Sequence, residues 1–275
     1  MKDTHVTNVT EEIATWLEEQ KSWNDRSGFF VELHDRDDRR AQVVHFLAYL
    51  KEHKLLPALP AKTLDIGCGV GDYALGLVKE GYDATGIDLS DGMIEGARSL
   101  AVKEHLPLDL YVGPWNEITR LSLGWDREFD LAYSFFCPVM FEPDNIRAMS
   151  QTSKGHCLLV AFAGRKDTIV EALTNHFYGP DDFDWQANID GALAVVNEVG
   201  EAVNVDYITT PEEEYFTEEE ALRYFTMRLH SETWGTVEDM KAEIKPLLEP
   251  YREADGRIKN TTEDKVAWIS WAPKQ

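Results

Sequence analysis

Between Thr63 and Ala163, short apolar runs alternate with helical stretches, and that alternation restricts the chain to few folds. Thr63–Ile66, Tyr82–Ile87, Leu108–Val112, Phe129–Ser134 and Cys157–Ala163 read as strands, bounded by polar and turn-forming residues. Tyr73–Lys79, Asp91–Val102 and Pro143–Ser150 read as the intervening helices. Strands that alternate with helices form a parallel sheet covered on both faces, because each crossover places its helix against the sheet. The punctuation agrees. Gly81 stands at a helix C-cap, Ser90 at an N-cap, and Pro143 in a first helical turn.

The flanks are organised differently. Residues 10–56 read as helical, with Thr10 as a cap and Val43, Val44, Leu47 and Leu50 on one apolar face. Beyond Gly164, a helix over Ala192–Val199 and a strand over Val203–Ile208 continue the sheet. Thr217 with Glu220 forms a capping box, a second helix starts after Thr236, and Val266–Trp271 closes the sheet. The expected division is a helical segment over 1–60 covering the binding site and an α/β domain over 61–275. Within that domain, 61–165 form the binding half and 209–263 a helical insertion or cap.

Composition narrows the ligands. The 27 Lys and Arg stand against 50 Asp and Glu, a formal charge of −23, which repels polyphosphate and argues against a nucleic-acid partner. The longest notable apolar run is too short to span a bilayer, and the polar, acidic N-terminus lacks the pattern of a secretory signal; a soluble cytoplasmic protein is expected. Cys68, Cys137 and Cys157 are widely spaced and read as reduced thiols, and neither they nor the 8 histidines show a metal-ligand spacing.

The sharpest motif is Thr63-Leu64-Asp65-Ile66-Gly67-Cys68-Gly69-Val70-Gly71-Asp72, a strand that runs into three alternating glycines and then a helix. Glycines let backbone approach a ligand closely and adopt positive φ. Asp88 ends the next strand, 21 residues after Gly67, where an acid can accept from both hydroxyls of a ribose. The spacing separates this loop from the dinucleotide fingerprint G-x-G-x-x-G, whose third glycine would fall on Asp72. A carboxylate there suits a cofactor bearing a sulfonium and an ammonium better than a pyrophosphate, and Asp65 suits the ammonium.

These residues, with Gly86-Ile87-Asp88-Leu89-Ser90 followed by Met93, Ile94 and Ala97, resemble the class I S-adenosylmethionine-dependent methyltransferases over about residues 60–165. The resemblance implies a Rossmann-like, doubly wound, mostly parallel seven-stranded sheet with a helical N-terminal segment and a helical insertion before the last strand. It also implies that Gly67, Cys68 and Gly69 back the methionine moiety, Asp88 holds the ribose, and Leu89 and Met93 pack on adenine. After the third strand the family commonly carries an acid, whereas this chain reads Gly113-Pro114-Trp115-Asn116. Trp115 either offers adenine an aromatic face or is a buried strand-end aromatic, and Asn116 can replace the acid's hydrogen bond. Ser22-Trp23-Asn24-Asp25-Arg26 resembles a segment that folds over the cofactor in some small-molecule members, which would bring Arg26 to the methionine carboxylate.

The reaction so implied is in-line displacement at the sulfonium methyl, releasing S-adenosylhomocysteine. Alignment and desolvation supply most of the catalysis, so no acid–base residue is obligatory, and none of His34, His156 and His176 is singled out. Ser134, Phe135 and Phe136 suggest an apolar wall in place of the [DN]-P-P-[YF] tetrad of amino-group methylating members, which points to a small-molecule acceptor. Eight acids without a Lys or Arg over Glu201–Glu220 either attract a cationic acceptor or form a solvated face. The alternatives are a non-catalytic cofactor-binding regulator and a nicotinamide oxidoreductase.

Overall fold

The computed structural model describes residues 4–180, 183–229 and 235–274, with side chains described from residue 15 onward. Two helices, α1 (Thr4–Leu33) and α2 (Asp37–Glu52), precede β1 (Lys62–Ile66). Then follow α3 (Asp72–Lys79), β2 (Asp83–Asp88), α4 (Asp91–Glu104), β3 (Asp109–Val112), α5 (Glu117–Ser122), β4 (Phe129–Phe135), α6 (Pro143–Thr152) and β5 (Ser153–Asp167). The chain continues through α7 (Thr168–Phe177), α8 (Trp185–Val199), β6 (Gly200–Phe216), α9 (Glu218–Leu229), α10 (Val237–Leu247) and β7 (Ile258–Pro273). One seven-stranded sheet is formed, in the order β3-β2-β1-β4-β5-β7-β6, and the pairings from β3 through β5 are parallel. This is the α/β, doubly wound architecture expected from the alternation.

The strand order reverses between β1 and β4: from β1 the chain steps outward to β2 and β3, then returns to β4 on the other side. Crossovers leave in opposite directions at that point, which opens a crevice at the carboxyl ends of β1 and β4. The glycine loop leaves β1 there.

Central strands match the expected boundaries closely, whereas the outer ones are longer. β5 spans Ser153–Asp167 where Cys157–Ala163 is expected, β6 runs on to Phe216, and β7 begins at Ile258. The apolar runs mark only the parts buried on both faces; most of β6 is exposed or half-buried, so its acids disguise it as a loop. Tyr215 and Phe216 therefore lie in β6. Helix α1 starts at Thr4, ahead of Thr10.

The chain forms two compact units: Met1–Ala161 with Asp190–Asp206 and Trp268–Gln275, and Phe162–Ile189 with Tyr207–Ala267. The second has its own apolar core, in which Ile169, Leu173, Phe225, Met240 and Ile244 are buried. Thr217 and Glu220 form the expected capping box, and Thr236 with Asp239 forms a second one at α10. In the first unit, α1 lies along α4 over two glycines one turn apart. A Cβ on Gly92 would fall 2.9 Å from Ser27 Oγ, and one on Gly96 2.7 Å from Val31 Cγ2, so the small residues set how closely the helices approach.

Candidate active site

All three loop glycines have positive φ: 70° at Gly67, 53° at Gly69 and 84° at Gly71. Their surroundings give them separate jobs. A Cβ on Gly67 would meet Cys137 Sγ at 2.5 Å, and one on Gly71 would press Ala97 and Leu108 at 3.3 Å. Around Gly69 nothing lies within 4 Å of such a Cβ. Packing thus explains the first and third glycines, and the middle one faces open space. The loop is anchored by Gly67 and Cys68, whose N–H groups both donate to Ile87 O (2.8 and 3.1 Å). The Cys68 side chain is buried against Gly86, and burial raises its thiol pKa well above the ordinary value.

Three carboxylates surround this loop. Asp88 Oδ2 accepts from Gly69 N–H and its Oδ1 from Ser90 N–H, each at 2.8 Å. Burial raises its pKa, opposed by those two donors. Each oxygen keeps a second lone pair, so the carboxylate both shapes the loop and can accept from a ligand's hydroxyls. Asp72 is buried, held by His34 Nδ1 and Arg39 Nε, both at 2.5 Å. His34 Nε2 also approaches Glu104 Oε1 at 3.4 Å, so this histidine links α1 to α3 and α4 rather than standing free as a base.

Asp65 differs from both. It is 1% exposed, its Oδ2 has no full hydrogen bond, and burial, aided by Asp88 and Asp72 and only partly offset by the neighbouring Tyr133 hydroxyl, holds its pKa well above the carboxylate range. A buried acceptor without a donor is costly unless something completes it. An ammonium group meets that need. With open space at Gly69 and free lone pairs on Asp88, the donor and acceptor set fits S-adenosylmethionine.

The remaining expected residues are dispersed in role. Leu89 is half-buried, and its carbonyl accepts from Gln20 Nε2 at 2.9 Å. Met93 is buried with Val70, Leu75 and Leu100. Pro114 is half-buried, Trp115 is buried with its indole N–H on Asn145 O (3.1 Å), and Asn116 caps α5 through Thr119 N–H (2.8 Å). Ser134 Oγ donates to Ile66 O at 2.8 Å, tying β4 to β1 at the crevice. Phe135 stacks on Tyr73 with centroids 4.0 Å apart, and Phe136, at φ 51°, remains 36% exposed. Arg26 lies over the Trp23 ring at 5.1 Å.

Arg39 and Cys137 also shape the loop without any signal in the spacing, and Asn24, quoted above only as part of the segment that resembles a cofactor cover, bonds to the start of α4. Only Asp72, a carboxylate opening a helix, hinted that a cation from elsewhere would be needed. Among the described residues no group of three His, Cys, Asp or Glu is placed to hold a metal ion. A cavity of about 310 Å³ lies elsewhere, lined by Arg127, Arg147, Ser150, Glu198 and Lys274; Arg147 is neutralised there by Glu198 at 2.8 Å. Among the described residues no helix is long and apolar enough to cross a membrane.

Residues 63–156 match the family model of a methyltransferase domain. A ubiquinone biosynthesis O-methyltransferase of Nitrosococcus oceani is 33% identical over 109 residues, 40% of this chain and 43% of that protein. An S-adenosyl-L-methionine-dependent Diels-Alderase of Talaromyces variabilis is 48% identical over 75 residues, 26% of each chain. The matches thus span less than half the length of these curated relatives. Among solved structures, a putative methyltransferase from Bacillus halodurans shares the fold with TM-score 0.54 and 15% identity, over 83% of this chain and 99% of that one. Residues 63–156, which carry the glycine loop, Asp65 and Asp88 at the point where the strand order reverses, thus match a methyltransferase domain.

Proposed function

We propose that the protein is an enzyme that transfers the methyl group of S-adenosylmethionine to a small-molecule acceptor. The observation that carries this reading is the buried Asp65, whose Oδ2 has no cationic or main-chain donor, near the open face of Gly69. Asp65 receives the ammonium of the methionine end, and the main chain of Gly67, Cys68 and Gly69 runs along it. Asp88 accepts from the ribose hydroxyls. Leu89, Pro114 and Asn116 border the adenine, with Met93 and Trp115 as the buried packing behind them. Ser134 holds the end of β4 in register with the loop, and Phe135 with Phe136 provides the apolar wall on the acceptor side.

When bound, the cofactor supplies an electrophilic methyl group on a sulfonium. The protein's part is to hold the ammonium end of that molecule at Asp65 and its ribose at Asp88, and to exclude water with Phe135 and Phe136 at the end of β4. A small acceptor agrees with the net charge of −23, which disfavours a polyanion, and with that wall. A second reading has one observation in its favour, the 48% identity to a Diels-Alderase: here the domain would bind the cofactor without consuming it while an apolar substrate cyclises.

Calorimetric titration with S-adenosylmethionine, S-adenosylhomocysteine and NADH tests the cofactor, and binding of the first two alone is expected. Release of S-adenosylhomocysteine on incubation with a panel of small phenols, amines and thiols tests the transfer. Turnover of an apolar polyene without that release would favour the second reading, and binding of NADH alone would refute both.

A further inference from the structure

Helix α4 does not cap its own N-terminus completely. Ser90 Oγ accepts from Met93 N–H at 3.0 Å, but the first N–H groups of a helix need further acceptors. Helix α1 supplies one from 68 residues away: Asn24 Oδ1 accepts from Gly92 N–H at 3.1 Å and from Ser90 Oγ at 2.5 Å, and Asn24 Nδ2 donates to Asp91 Oδ1 at 2.7 Å. One turn earlier on the same face of α1, Gln20 holds the Leu89 carbonyl at 2.9 Å. One turn later, Ser27 packs on Gly92. The main-chain N–H of Ser90, fixed from both sides in this way, donates to Asp88 Oδ1 at 2.8 Å. A continuous run of bonds leads from Asn24 through Ser90 to the carboxylate read above as the ribose ligand.

We infer that Asn24 is a positioning residue for cofactor binding, which completes the N-cap of α4 in trans and thereby holds Asp88 ready for the ribose. The inference rests on the cofactor reading of the site given above. A residue that merely packed α1 on α4 would lower stability without acting through Asp88.

A double-mutant cycle separates the two roles. S-adenosylhomocysteine is titrated into the wild type, Asn24→Ala, Asp88→Ala and the double variant, below all melting temperatures. Asn24→Ala is expected to weaken affinity by about 5- to 20-fold, as for loss of one or two hydrogen bonds, and the double variant to bind no more than about twofold worse than Asp88→Ala. Val31→Ala removes the α1 side chain that covers Gly96 and leaves the cap alone; it is expected to lower the melting temperature and keep affinity within about twofold. Gln20→Ala, which frees only the Leu89 carbonyl, gives the same non-additivity if Asn24→Ala does not fold. Losses that multiply in the double variant, unchanged affinity in Asn24→Ala, or an equal loss in Val31→Ala would each overturn the inference while wild-type binding left the cofactor reading intact. Absence of wild-type binding would overturn that reading, and this inference with it.

Discussion

At Asp88 the two carboxylate oxygens serve different main-chain donors, Gly69 and Ser90, each at 2.8 Å. Asp88→Asn keeps the shape but turns one acceptor into a donor. Whichever way the amide is oriented, one N–H loses its acceptor and faces another N–H. Such a group costs about 1–3 kcal/mol when shielded from water. At about 2–4 °C per kcal/mol for a chain of this size, the melting temperature should fall by roughly 2–12 °C. Asp88→Ala removes both acceptors and should cost about twice as much. Affinity for S-adenosylhomocysteine should fall by about 1–3 kcal/mol, or roughly 5- to 150-fold, because ribose hydroxyls lose a charged acceptor. Thermal melting and calorimetric titration of the same preparations read the two effects separately. A variant that melts lower yet binds with wild-type affinity would show that Asp88 only holds the loop, and that the ribose lies elsewhere.

The glycines should divide as their surroundings do. Gly69→Ala should cost about 1 kcal/mol for its positive φ yet lower ligand affinity at least about tenfold, whereas Gly67→Ala, with a Cβ 2.5 Å from Cys137 Sγ, should mainly lower the melting temperature. Equal affinity loss in both would refute the assignment. Asp72→Asn leaves Arg39 and His34 without their carboxylate and should destabilise the fold by about 2–3 kcal/mol, a figure discounted because Arg39 is 23% exposed. Urea unfolding checks it, and a loss below about 0.5 kcal/mol, within the usual range for an ordinary surface change, would contradict the clamp. The raised pKa of Asp65 has a definite sign: the folded protein binds that proton more tightly than the unfolded chain, so the group's contribution to stability declines as pH rises from the ordinary carboxylate range through the folded value. An ammonium ligand selects the ionised form, so affinity for S-adenosylhomocysteine should strengthen with pH over the same window. An analogue lacking the amino-acid end should not share that dependence, and Asp65→Asn should abolish it; a flat profile in the wild type would remove Asp65 from the site.

Local spacing carried far along the centre of this chain. β1, its glycines and α3 follow from a few neighbouring residues, as does the Ser90 cap, since each is formed by groups within one turn. Phe129–Ser134 was legible for a related reason: a strand buried on both faces is mostly apolar. The outer strands were not, because β6 keeps an exposed face full of carboxylates and so loses the signal by which strands are read. Trp115 was ambiguous for a related reason. An aromatic at a strand end fits either a ligand or a neighbouring helix, and only α6, which brings Asn145 O to its indole N–H, decides what it touches.

What the sequence alone determined, then, is the order of elements, the sharp loop after β1 and the position of Asp88. All depend on short-range stereochemistry and on the period of apolar residues. What tertiary structure decided is how the acidic loop is made tolerable. Asp72 finds Arg39 and His34, and the start of α4 finds Asn24, across separations of 33 to 68 residues. Such pairs have no signature in spacing, because they exist only once packing has brought α1 against α4 and α2 against α3. Of the three acids around the loop, Asp65 is the one whose Oδ2 finds neither a cation nor a main-chain donor, and that shortfall, visible only when every neighbour is in place, is what supports the ligand reading.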